Sequence, residues 1–151
     1  MTTKTEATQV YEVTIAASPQ DVWDALTKPE QTKQYFYGSI FETTWDPGSA
    51  ILGRAEDGSR NFVEGEVLEV DPPRRLSMTW NSLWDESTKG EPASRVTWEL
   101  EPSGEGTKVT LVHDRLEASP KTAAGVSEGW QTVLDGLKAF LETGEVQNQM
   151  A

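Results

Sequence analysis

The chain carries one histidine and no cysteine, so chemistry near neutral pH falls first to His113. It closes an alternating run in which Val109, Leu111 and His113 share one face, opposite Thr110 and Val112. That register aims the imidazole at the core or at a cavity within it. There it would act as a general base, as a polar anchor for a ligand, or as a hydrogen-bonded structural residue. Asp114 projects to the other face, and nothing near it in sequence completes a triad. Glu64 and Glu66 are the second candidates: they share a strand face, while Glu69 falls on the opposite one unless a bulge exchanges the two. Paired carboxylates run acid–base chemistry where burial drives their pKa values apart. On a solvent-facing strand they are charges only, and that is the reading adopted for them.

No residue is therefore assigned a catalytic role. A lone histidine without cysteine rules out multi-histidine and thiolate metal sites, disulfides and thiol catalysis. The chain also lacks Gly-x-x-x-x-Gly-Lys-Ser/Thr, a strand followed by Gly-x-Gly-x-x-Gly, and Gly-x-Ser-x-Gly. Nucleotide-dependent and serine-hydrolase chemistry are thus without support, and no cofactor is expected.

The six tryptophans are the most unusual feature of the composition. Trp23 and Trp130 lie on helical apolar stripes, whereas Trp80 and Trp98 lie on alternating strand faces. With Tyr35, Tyr37, Met78, His113 and Leu134, the residues Trp80, Trp98 and Trp130 would line an aromatic cavity offering a few polar handles. The alternative is a filled core with no gap. Trp84, beside Leu83 in a polar stretch, would be a lid over a cavity mouth or an ordinary surface residue.

Positioning these side chains falls to one long helix and a set of strands. Val126, Trp130, Val133, Leu134, Leu137, Phe140 and Leu141 form one stripe of a 3.6-residue repeat, which predicts a helix over 127–143 with Gly144 as its C-terminal cap. Pro120 and Gly125 precede that run. Upstream, a strand from Gln9 leads to Ser18-Pro19, a helix start, and to a second short helix ending near Gln34. Strands are expected over 40–45, 49–55, 60–70, 74–80, 94–101 and 107–113, separated by turns such as Asp46-Pro47-Gly48 and Asp57-Gly58. Residues 81–93 read as a long loop. A single α+β domain over 9–144 follows, with flexible tails at 1–8 and 145–151.

The net charge is −12. Such a surface repels phosphate backbones and anionic headgroups, so neither nucleic acid nor a membrane is expected as partner. No run of 18 apolar residues and no charged-then-apolar leader is found, and with the absent cysteines this favours a cytoplasmic location.

The order β-α-α-β6-α, with a long terminal helix gripped by a curved antiparallel sheet, resembles the START/Bet v 1-like, or helix-grip (SRPBCC), superfamily. Local motifs sharpen the resemblance to its branch named for the activator of Hsp90 ATPase, the AHSA1-like proteins. They are Ala17-Ser18-Pro19 followed by Val22-Trp23-Asp24-Ala25-Leu26-Thr27, then Tyr35-Phe36-Tyr37-Gly38 and Trp45-Asp46-Pro47-Gly48-Ser49. The run from Gly65 to Leu76 and the pair Gly129-Trp130 complete the set. The resemblance implies a cavity between sheet and terminal helix that in relatives often holds an apolar small molecule. It does not imply a reaction, because the superfamily includes binding proteins, cyclases and co-chaperone domains. The expectation is a non-enzymatic protein binding an apolar or aromatic small molecule, with a bacterial-type stress or resistance role. Two alternatives stand beside it: a cyclase or hydratase using His113 as acid–base, and a module contacting an Hsp90-type chaperone.

Overall fold

The computed structural model describes residues 8–36, 38–83 and 85–144. Strand β1 (Gln9–Ile15) leads into helices α1 (Pro19–Thr27) and α2 (Pro29–Tyr35). Strands β2 (Ser39–Glu42), β3 (Ala50–Ala55), β4 (Asn61–Asp71) and β5 (Arg75–Ser82) come next. A one-turn helix α3 (Glu86–Lys89), strands β6 (Ser94–Ser103) and β7 (Gly106–Asp114), and helix α4 (Pro120–Thr143) finish the domain. The strands form one antiparallel sheet in the order β1-β7-β6-β5-β4-β3-β2. The first strand thus pairs with the last, and β1 and β2 are the edges. This is the expected α+β helix-grip arrangement, with one correction: α3 interrupts the run of six strands.

The local causes are readable. The Ser18 hydroxyl accepts the Asp21 amide at 3.1 Å, capping α1 where Pro19 opens it. Alternation in β7 buries Thr107, Val109, Leu111 and His113, and their neighbours between them stay half-buried. In β4 the register slips between Val67 and Glu69, so a bulge does exchange the faces and leaves Leu68 38% exposed.

Three other boundaries differ from expectation. The strand expected over 40–45 stops at Glu42, because the chain turns through Trp45 at a φ of 61°. The stretch 81–93 is not all loop: the Asp85 carboxylate accepts the Ser87 amide at 2.8 Å and starts α3. Most consequentially, α4 begins at Pro120 and not near Ser127, so Gly125 lies inside it. The Glu91 carboxylate explains this early start. It accepts the amides of Lys121 at 2.9 Å and Thr122 at 2.8 Å, together with the Thr122 hydroxyl at 2.7 Å. A carboxylate from a distant loop therefore satisfies donors that an α-helix leaves open in its first turn. Tyr37, Trp84 and the expected tails up to Ala7 and from 145 onward lie outside the described residues.

Helix α4 is seated asymmetrically. Its inner stripe, Val126, Trp130, Val133, Leu134 and Leu137, is at most 4% exposed. Along the flank facing β1, Gln9 donates to the Ala123 carbonyl at 2.9 Å and Tyr11 to that of Ser127 at 3.0 Å. Lys138 donates to Thr14 at 2.7 Å, and Glu142 accepts the Ala16 amide at 2.8 Å. These bonds draw the helix toward one edge of the sheet. Its other flank, toward β2, β4 and β5, is where space remains.

Candidate ligand-binding groove

That space is a groove of about 290 Å³. Gly125, Val126, Gly129, Trp130 and Val133 of α4 form one wall. Ser39 and Phe41 of β2, Phe62 and Val63 of β4 and Trp80 of β5 form the other, with Phe36 after α2 and Arg60 before β4 completing it. Gly53 sets how deep the sheet side lies: a Cβ there would stand 2.7 Å from Val63 Cγ1 and 2.8 Å from Phe41 Cε1, so only glycine lets these two wall residues close over β3. The lining is apolar except for Arg60 and Ser39. Ser39 is 3% exposed, and its carbonyl accepts the Thr32 hydroxyl at 2.9 Å.

Trp130 is the centre of the aromatic wall. Its ring centroid lies 5.0 Å from that of Trp80, 5.8 Å from Phe36 and 5.9 Å from Trp98, the last two edge-on. Behind this wall is a second gap of only about 20 Å³, lined by Tyr35, Met78, Leu76 and Trp98 among others. Phe36, Phe41, Trp80 and Trp130 border both spaces, so these four rings divide the open groove from the buried gap.

His113 holds this wall in place from behind. Its ring is completely buried, 5.8 Å from Trp80 and 5.9 Å from Trp130 between centroids, and it lines neither space. The Trp130 indole N–H donates to Nδ1 at 2.9 Å. An indole nitrogen can only donate, so Nδ1 is the acceptor and the ring proton sits on Nε2. Nε2 then donates to Ser94 Oγ at 2.6 Å, and that hydroxyl donates to the Trp80 carbonyl at 3.2 Å. Burial pushes the imidazole pKa down to about 3, against a weaker upward pull from Asp114. A proton added at Nδ1 would also face the indole N–H. The imidazole is thus neutral, with both nitrogens engaged inside the core.

The other residues singled out from sequence fall in different places. Trp80 and Trp130 line the groove. Tyr35, Met78 and Trp98 border the small inner gap with them, and Tyr35 is wholly buried, its hydroxyl donating to the Ala25 carbonyl at 2.7 Å. Burial pushes that phenol's pKa up. Leu134 is core, bordering neither space, and Tyr37 is outside the described residues. Glu64 and Glu66 are exposed on the outer face of the sheet, around a more open hollow of about 540 Å³ that also touches Glu42 and Thr79. Glu69 is ion-paired with Arg75 at 2.9 Å. Among the described residues no cluster of three His, Asp or Glu side chains is arranged to hold a metal ion. No helix among them is long and apolar enough to cross a membrane.

The groove residues that sequence reasoning passed over are Phe36, Ser39, Phe41, Arg60, Phe62, Val63, Val126, Val133 and the two glycines. One signal was present: Gly125 and Gly129 are spaced at i, i+4, which puts both on one face once Gly125 is inside the helix.

Residues 16–142 match the family described as Activator of Hsp90 ATPase homolog 1-like protein. No curated protein matches the sequence. Among solved structures, protein MLL2253 from Mesorhizobium loti is similar at a TM-score of 0.76 and 26% identity, over 92% of this chain and 99% of that one. CalU16 from Micromonospora echinospora is similar at a TM-score of 0.71 and 25% identity, over 91% and 77% of the two chains. The Aha1 dimer from Colwellia psychrerythraea shares the fold at a TM-score of 0.69 and 21% identity, over 91% and 97%.

Proposed function

We propose that this chain, which belongs to the Activator of Hsp90 ATPase homolog 1-like family, binds a planar apolar small molecule between α4 and the sheet without transforming it. The observation that supports this most is Gly129. It lies inside a 24-residue helix, where glycine costs about 1 kcal/mol relative to alanine. A Cβ at Gly129 would meet nothing within 4 Å, so packing does not demand glycine there. What glycine preserves is room in the groove, at the expense of helix stability.

Size and lining suit such a ligand. A dry cavity of about 150 Å³ takes benzene, so about 290 Å³ suits one or two fused rings. The faces and edges of Trp80, Trp130, Phe36 and Phe41 are the surfaces on which a flat ring packs well. Among the described residues no His, Asp, Glu, Lys or Tyr side chain lines the groove, so general acid–base catalysis has no group to use. His113 supports the wall from behind and has no access to a bound molecule.

The test is binding of naphthalene-2-carboxamide, a neutral two-ring probe, followed by tryptophan fluorescence and thermal melting. At about ten times its Kd the probe should stabilise the fold by about 1.4 kcal/mol, raising the Tm by roughly 3–6 °C. Gly129→Leu, which fills the groove from the helix side, should abolish both signals. No binding to the wild type by this probe or by other one- and two-ring aromatics would overturn the reading.

A further inference from the structure

Arg60 is the only cationic side chain lining the groove among the described residues. Most other described arginines and lysines are held by carboxylates, among them Lys33 by Glu56 at 2.7 Å, Arg74 by Asp71 at 3.0 Å, Arg75 by Glu69 at 2.9 Å and Arg95 by Asp114 at 2.9 Å; Arg115 and Lys121, which do not line the groove, are not. Arg60 has no carboxylate within 4 Å among the described residues. Its guanidinium carbon instead lies 5.4 Å from the centre of the Phe62 ring, itself part of the groove wall. The backbone fixes this position, because the Arg60 carbonyl accepts the Ala55 amide at 2.8 Å across the β3–β4 hairpin.

A guanidinium resting on a ring keeps its N–H donors available around its edge, in the fork that fits a carboxylate. No acidic side chain lines the groove among the described residues to compete for it. On a chain of net charge −12, what sets Arg60 apart from Arg115 and Lys121 is that its unpaired guanidinium lies beside an apolar groove. We infer that the groove selects planar aromatic acids, with the ring system against Trp80 and Trp130 and the carboxylate paired to Arg60 at the rim. This rests on the ligand-binding reading above and adds the chemical class. The overall negative charge does not cancel the selectivity at moderate salt, since at 0.1 M fields are screened within about 10 Å whereas the pair forms in contact.

The experiment compares 2-naphthoate with naphthalene-2-carboxamide, two probes of nearly equal shape that differ in charge, at neutral pH and 0.1 M salt. The wild type should bind the acid about fivefold more tightly than the amide, as a rim ion pair allows. Arg60→Gln should remove that preference, bringing the acid to the affinity of the amide in the same variant, and Arg60→Lys should retain part of it. Arg74→Gln, which makes the same change in net charge on a distant turn, should leave the preference intact. Equal wild-type affinities, or an acid preference that survives Arg60→Gln, would overturn the inference while leaving the groove a binding site. Failure of both probes to bind would remove the site and the inference together.

Discussion

Acidification offers a sharp test of the wall behind the groove. His113 is the only histidine in the chain, so between pH 7 and pH 5 it is the side chain whose protonation dominates stability. Folded, its pKa is about 3 because the ring is buried; its ordinary value is 6.5. The folded pKa is depressed, so its contribution is present above 6.5 and lost as pH falls toward 3, where the unfolded chain binds a proton that the folded one refuses. Integrating that difference from pH 7 to pH 5 gives a loss of about 2 kcal/mol. Urea melts at the two pH values should show it as a midpoint lower by about 1 M at pH 5, for an m-value of about 2 kcal/mol/M. Asp114, held low by its hydrogen bonds to Arg95, titrates below this window and does not confuse it. In His113→Gln the dependence between pH 5 and 7 should vanish, whatever the variant's absolute stability. A wild-type midpoint unchanged between the two pH values would refute the neutral, doubly bonded imidazole described above.

Further changes probe α4 and its seating. Gly129→Ala should stabilise the protein by about 0.5–1 kcal/mol in denaturant melts, because the added Cβ meets open space in a helix interior; destabilisation would mean the groove wall is closed there. Glu91→Ala should cost about 1 kcal/mol, as loss of a helix cap does, with amide exchange at Lys121 and Thr122 accelerated. Leu137→Ala, at a fully buried position in the stripe, should cost roughly 2–5 kcal/mol. A cost under about 0.5 kcal/mol would place Leu137 outside the core.

How far the sequence was legible depended on the range of the interactions involved. The α4 stripe, the alternation of β7 and the Ser18 cap are local patterns, and each reappears in the structure at its expected place. The start of α4 was not legible, since it is fixed by Glu91, about 30 residues upstream, which no propensity of the helix itself encodes. That one boundary decided the site: with Gly125 placed before the helix, the Gly125–Gly129 face was invisible. Trp80, Trp98 and Met78 are buried in the same core cluster as the inner stripe of α4. Whether that interface packs solid or leaves space depends on how the rings interdigitate, and Trp98 and Met78 border a gap little larger than a water molecule. The open groove lies to one side because the hydrogen bonds from Gln9, Tyr11, Lys138 and Glu142 draw α4 toward β1. Arg60 and Phe62 carried no signal, as a polar–aromatic alternation at a strand start is ordinary.

The central claim is that the space between α4 and β2–β5 is a binding site, and amide and indole NMR shifts during a titration with naphthalene-2-carboxamide test it most directly. Saturable shifts should concentrate at the Gly125 and Gly129 amides and at the Trp80 and Trp130 indole N–H signals, the latter reporting through its bond to His113. The exposed outer face around Glu64 and Glu66 should stay unmoved. Shifts centred on that outer face, or none that saturate at the two glycines, would contradict the account.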